Sequence, residues 1–185
     1  MTPLPGTVTV TRLDGPATAR AEEAFRTVYA EVFAEPPHHE TDDDVAHAFR
    51  RFAAQTRRAG FRGALARDGA GNPVGIAYGH PLPPETPWWG NLLEPVDAEL
   101  RREDGQRTFG LMELAVRGAW RRRGIARRLH DAVIAGVDCE RVLLNVHSGN
   151  TAAAAAYRSW GYGRVGAADP GEGADLHDLM LLPLR

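Results

Sequence analysis

The 185-residue chain has no lysine and one cysteine. All 22 of its basic residues are therefore arginine. With the abundance of alanine and glycine, this suggests a GC-rich genome and says little about chemistry. A lone thiol, Cys139, makes no intramolecular disulfide and no cysteine-based zinc site, which fits a reducing cytosol. No apolar run approaches the roughly 20 residues needed to span a bilayer. Met1–Leu13 has neither a charged leader nor an apolar core, so no signal peptide is expected and the protein reads as cytoplasmic and free of the membrane. A net charge of −2 exerts no global pull toward nucleic acid. No repeat of 20–50 residues occurs. What remains, 43% hydrophobic and 25% charged, is ordinary for a soluble globular chain. Its length suits a single domain over 1–185 with a real core.

The most informative stretch is Gly110–Val116 followed by Arg117-Gly-Ala-Trp-Arg-Arg-Arg-Gly124-Ile-Ala126 and a helix to about Gly136. It reads as strand, basic turn, helix. The strand is apolar except for Glu113, and Ala126, Leu129, Ala132 and Val133 recur at helical spacing. Gly124 lets a ligand approach the backbone closely. The amides after it lack intrahelical partners and carry the positive end of the helix dipole. Arginines at 117, 121–123, 127 and 128 add local potential, so the stretch suits a small polyanion.

The rest alternates helices and strands. Thr7–Leu13 reads as a strand, and Ala21, Phe25, Val28, Tyr29 and Val32 mark one helical face. Thr41 and Asp44 look like a capping box before a second helix. His38, His39, Glu40 and Asp42 invite a metal reading, but helical ligand spacing is missing and a loop with a cap is preferred, so no metal is expected. Gly63–Arg67 and Pro73–Tyr78 form a hairpin around Asp68–Asn72. Residues 81–108 make a long proline-rich loop, with a short helix expected within Leu92–Arg102. Long ordered loops are usually functional, and Trp88 and Trp89 would wall or lid a substrate or else cover the loop's own core. Arg141–Val146 is a buried strand, a helix follows Asn150 and closes at Gly161, and strands near 162–165 and 176–184 flank an acidic turn. The expected class is α/β (α+β), with a mixed sheet and helices on both faces.

Three segments together resemble the GNAT superfamily of acetyl-CoA-dependent N-acetyltransferases. They are the strand ending Leu114-Ala-Val116, the turn Arg121-Arg-Arg-Gly124-Ile-Ala126, which matches that family's Arg/Gln-x-x-Gly-x-Gly/Ala loop, and Leu144-Asn-Val146 followed by Asn150, Tyr157 and Gly161-Tyr162. The resemblance implies two parallel strands splayed to admit the thioester. It implies that the backbone of Leu114–Val116, Ala115 included, meets the pantetheine arm. The amides of Arg122, Arg123, Gly124, Ile125 and Ala126 would hold the pyrophosphate of acetyl-CoA, with Arg121–Arg123 adding side-chain contact or potential. Asn150 would bond to the cofactor arm, and Tyr157 would protonate the departing thiolate.

Thioester aminolysis needs an electrophile held beside a neutral amine. It also needs a donor for the oxyanion, for which a strand amide near Leu114 is placed, and an acid for the leaving group. Glu113 shares a face with Leu111 and Ala115. A desolvated carboxylate there would have a raised pKa, as a base requires, or else serve as a structural partner. His80 and His147 stand at strand ends as weaker candidates for base or substrate contact. The acceptor would be an amine of a small molecule or peptide, and a homodimer is compatible with the sequence. A CoA-binding sensor without turnover is the main rival. A nucleic-acid module using the arginine patch is disfavoured by the near-neutral charge.

Overall fold

Asp14 ends the first strand and starts the first helix. In this computed structural model, which describes residues 6–171 and 173–185, its carboxylate accepts from Ala17 N at 2.8 Å. This joins β1 (Thr9–Leu13) to α1 (Gly15–Arg20). The chain turns at Ala21 before α2 (Glu22–Phe33), so the expected amphipathic helix is preceded by a separate short one. Thr41 and Asp44 close both halves of the capping box and begin α3 (Asp42–Gln55). Asp68 accepts from Ala70 N and Asn72 N, each at 2.9 Å, and turns β2 (Arg62–Arg67) into β3 (Pro73–Pro81).

The chain forms two compact units. The first runs to His80 and resumes over Leu111–Gly136. Here the two-residue period of β3 sorts its side chains. Ile76 and Tyr78 join Phe25, Val28, Tyr29, Phe49 and Phe52 of α2 and α3 in an aromatic core. Gly75 points the other way, where an added Cβ would come within 2.9 Å of Leu129 Cδ1 on α4 (Ile125–Ile134). Helices therefore cover both faces of these strands.

The second unit comprises Pro81–Gly110 and Val137–Arg185. The start of β4 (Thr108–Val116) runs parallel to β5 (Arg141–His147), with Thr108–Gly110 paired to Arg141–Leu143. Along its whole length β5 pairs antiparallel with β7 (His177–Pro183), and β7 pairs antiparallel with β6 (Gly163–Ala168). The sheet order is β1-β2-β3-β4-β5-β7-β6, mixed as expected. Helix α5 (Thr151–Ser159) closes in a Schellman motif: Gly161 N donates to Arg158 O and Tyr162 N to Tyr157 O, both at 3.0 Å.

The long loop departs from expectation. Leu92–Arg102 contains no helix; residues 98–101 form a turn. Asp97 Oδ1 accepts from the amide of Glu99, and Arg107 Nη1 donates to the carbonyls of Glu99 and Arg102, so side chains satisfy groups that a helix would have bonded. The loop also runs beside β6. Leu92 bridges Ala168, Leu93 N donates to Ala167 O at 2.9 Å, and Glu94 Oε2 accepts from Ala167 N at 2.8 Å. An otherwise open strand edge is covered in this way.

Candidate active site

The basic turn begins where β4 stops. Arg121 Nε donates to the Val116 carbonyl at 3.0 Å, while its Nη1 lies 2.7 Å from Glu35 Oε2. Between them the backbone makes one 3-10 turn, Gly118–Trp120. Arg122 then sits at φ +61° and Gly124 at φ +74°. The left-handed conformation costs a non-glycine residue about 1–2 kcal/mol, so its surroundings must hold Arg122 there. Gly124 is the N-cap of α4 and provides no side-chain cap for the first-turn amides. A Cβ at Gly124 would meet nothing within 4 Å. First-turn amides that a helix leaves without intrahelical partners, uncapped by any N-cap side chain and beside open space, fit a pyrophosphate.

The arginines of the turn are not equivalent. Arg121 is occupied by Val116 and Glu35, and Arg117 lies 2.7 Å from Glu31. Arg123 stacks over Trp120, 5.0 Å from its ring centre. Arg128 donates to the Val8 carbonyl, and Arg127 pairs with Asp131. Arg122 and Arg123 are exposed. What reads in the sequence as one arginine patch thus divides into structural ties and exposed cations.

Glu113 projects from the face of β4 that carries Leu111 and Ala115, and Ala115 belongs to the aromatic core. The glutamate is half-buried. Burial and then the like charge of Glu40 push its pKa up to about 8, while Arg51 pulls it back. Tyr29 donates its hydroxyl to Glu40 Oε1 at 3.0 Å. Glu40 Oε2 is buried and has no hydrogen-bond partner. Burial also raises Glu40, and burial together with the charge of Glu113 raises the Tyr29 and Tyr78 phenols. Sequence reasoning missed this set. Tyr29 read only as part of an apolar stripe, and Glu40 as a loop residue. Their one legible signal is a tyrosine on the same helical face as phenylalanine and valine. Of the other strand-end candidates here, His80 is buried, 3% exposed.

In the second unit, Asn150 Oδ1 accepts from Ala153 N at 3.1 Å and caps α5. That role spends its carbonyl and leaves its amide donors for another partner. Tyr157 lies two turns further on, buried, edge-on to Trp160 and Tyr162 at 5.4 and 5.5 Å. His147 Nδ1 accepts from Gly149 N at 2.9 Å, which assigns the ring proton to Nε2, 3.0 Å from Asp175 Oδ2. Trp89 lies in the loop's own interior, its Nε1 donating to Glu103 at 2.8 Å with Arg141 stacked over its ring. Trp88 keeps partial exposure. Among the described residues no helix is long and apolar enough to cross a membrane.

Residues 21–162 match the model of the acetyltransferase (GNAT) family. No curated protein matches the sequence significantly. Among solved structures, the ribosomal-protein-S18-alanine N-acetyltransferase from Escherichia coli is 18% identical with a TM-score of 0.62, covering 96% of this chain and 94% of that one. A chain of the NatC complex bound to Gag peptide and CoA is 19% identical with a TM-score of 0.62, covering 96% and 99%. The PaiA N-acetyltransferase from Thermoplasma acidophilum in complex with coenzyme A is 11% identical with a TM-score of 0.60, covering 96% and 99%. At these identities the likeness is one of fold. The family match covers most of the chain and includes the basic turn, Glu113, Asn150 and Tyr157: the protein belongs to the GNAT family of acetyltransferases, which use acetyl-CoA as acyl donor.

Proposed function

We propose that the chain is a single N-acetyltransferase domain that passes the acetyl group of acetyl-CoA directly to a primary amine on a small molecule or a peptide N-terminus. Glu113 carries this reading. An ammonium group is no nucleophile, and a half-buried carboxyl titrating near pH 8 is matched to removing its proton, directly or through a water. Acetyl-CoA supplies the activated acyl group as a thioester. The amides of Arg122–Ala126 hold its pyrophosphate, the backbone of Leu114–Val116 and the amide of Asn150 hold its arm, and an amide near Leu114 stabilises charge developing on the carbonyl oxygen. As the carbon–sulfur bond breaks, Tyr157 gives its proton to the sulfur. Trp88 has surface to offer an acceptor.

The deciding experiment is a thiol-release screen with acetyl-CoA over a panel of primary amines, amino acids and short peptides. Amine-dependent release with an N-acetyl product is expected. CoA binding without release on any amine would replace this reading with that of a sensor. Gly124→Val places a β-branched residue at φ +74° and should weaken CoA binding at least tenfold, about 1.4 kcal/mol. Unchanged affinity would remove the pyrophosphate assignment.

A further inference from the structure

We infer that Glu35 is a positioning residue for acetyl-CoA: through Arg121, it holds the turn before α4 in the shape that receives the pyrophosphate. The inference rests on the proposed role of that turn. Arg121 is the last extended residue before the left-handed Arg122. Its planar guanidinium is held at two points, by the Val116 carbonyl at 3.0 Å and the Glu35 carboxylate at 2.7 Å. A single contact would let the side chain swing. Two contacts fix its plane and, with it, the backbone entering Arg122.

Glu35 lies against the turn: a Cβ built on Gly118 would be in ordinary contact with Glu35 Oε1, at 3.4 Å, and with Arg121 Nη1, at 4.0 Å. Four residues earlier on α2, Glu31 makes a parallel tie to Arg117 at 2.7 Å. Glu35 also opens the segment that ends at Glu40, where Tyr29 holds Glu40 Oε1 and Glu40 N donates to Phe33 O at 2.8 Å. One short loop thus touches both the anion turn and the carboxylate that raises the proton affinity of Glu113.

A competing arrangement predicts the opposite sign. If Glu35 merely occupied a cation meant for phosphate, removing its charge would strengthen CoA binding. The test is calorimetric titration of CoA into the wild type, Glu35→Ala, Glu35→Gln, Arg121→Ala and the Glu35→Ala/Arg121→Ala double variant, with melting curves for each. Positioning predicts that Glu35→Ala weakens CoA binding about fivefold, the scale of a good surface ion pair. Glu35→Gln, which keeps an acceptor oxygen, should restore most of the loss. The double variant should bind no more weakly than Arg121→Ala, with melting temperatures unchanged. Unaltered or tighter binding by Glu35→Ala, or additive losses, would overturn the inference. If Gly124→Val weakens binding while Glu35→Ala does not, the inference fails alone. If neither does, the pyrophosphate reading fails with it.

Discussion

Arg141 lies 2.9 Å from Glu103 Oε1, with 6% and 1% of the two side chains exposed. The same oxygen accepts from Trp89 Nε1 and Thr108 Oγ1, each at 2.8 Å. Thr108 and Arg141 are also register partners at the start of the parallel β4–β5 ladder. The cluster therefore joins the long loop to the end of the sheet where those strands are paired. Removing one member of a buried ion pair leaves the other charge without compensation, at a cost of about 3–5 kcal/mol. Glu103→Ala should lower stability on that scale in urea denaturation, and a joint Glu103→Leu/Arg141→Met replacement should lose less. Equal midpoints for the wild type and Glu103→Ala would show that the pair carries no such burden.

A second prediction concerns Gly161, at φ +101° after the last turn of α5. Alanine there meets two obstacles: the left-handed conformation, and Leu182 Cδ1 at 3.2 Å from the new Cβ. Gly161→Ala should cost about 1–2 kcal/mol. A melting temperature equal to that of the wild type would show that the helix end rearranges freely.

These two sites differ in how far sequence reading could reach. Gly161, the Thr41–Asp44 box and the Asp68–Asn72 turn are encoded within a few neighbouring residues, so local stereochemistry reveals them. Glu113 is also legible, because a period of two assigns its face once the strand is recognised. The Glu103–Arg141 pair joins residues 38 apart, and the Arg117–Glu31 hydrogen bond joins residues 86 apart. Such ties leave no period in the sequence, since any exposed-looking charge can become a buried partner. The break at Ala21 is hidden for another reason: no proline or glycine marks it, and the helix resumes in the next residue. The expected helix in Leu92–Arg102 failed because Asp97 and Arg107 compete for its backbone groups.

Glu113 links pH to both rate and stability. Its folded pKa is raised to about 8 from 4.5, so the native state favours the protonated form. Its contribution to stability is complete below about pH 4.5 and is lost as pH rises through about 8. If Glu113 is the proposed base, activity runs the other way, because a base works only once ionised: kcat/KM should climb toward a plateau above pH 8. Glu113→Gln should abolish that limb and lower the rate about 100-fold. It should match wild-type stability at pH 4 and exceed it at pH 9. A persistent limb near pH 8 in the glutamine variant would assign the titration to another group.

Tyr157 supplies the last test, because its ring and its hydroxyl can be separated. The ring contacts Trp160 and Tyr162 edge-on, and the Tyr157 carbonyl closes the Schellman motif. Tyr157→Phe keeps the ring and the carbonyl, so α5 should remain intact. If the hydroxyl protonates the leaving sulfur, turnover should fall about 100-fold while the dissociation constant for acetyl-CoA stays unchanged. A packing role alone would leave turnover intact. The chemistry adds a sharper control. An acetyl thioester of a more acidic thiol needs less help from an acid, so the deficit of the phenylalanine variant should shrink with such a donor. A deficit equally large for both donors would mean that the hydroxyl acts elsewhere than on the leaving group.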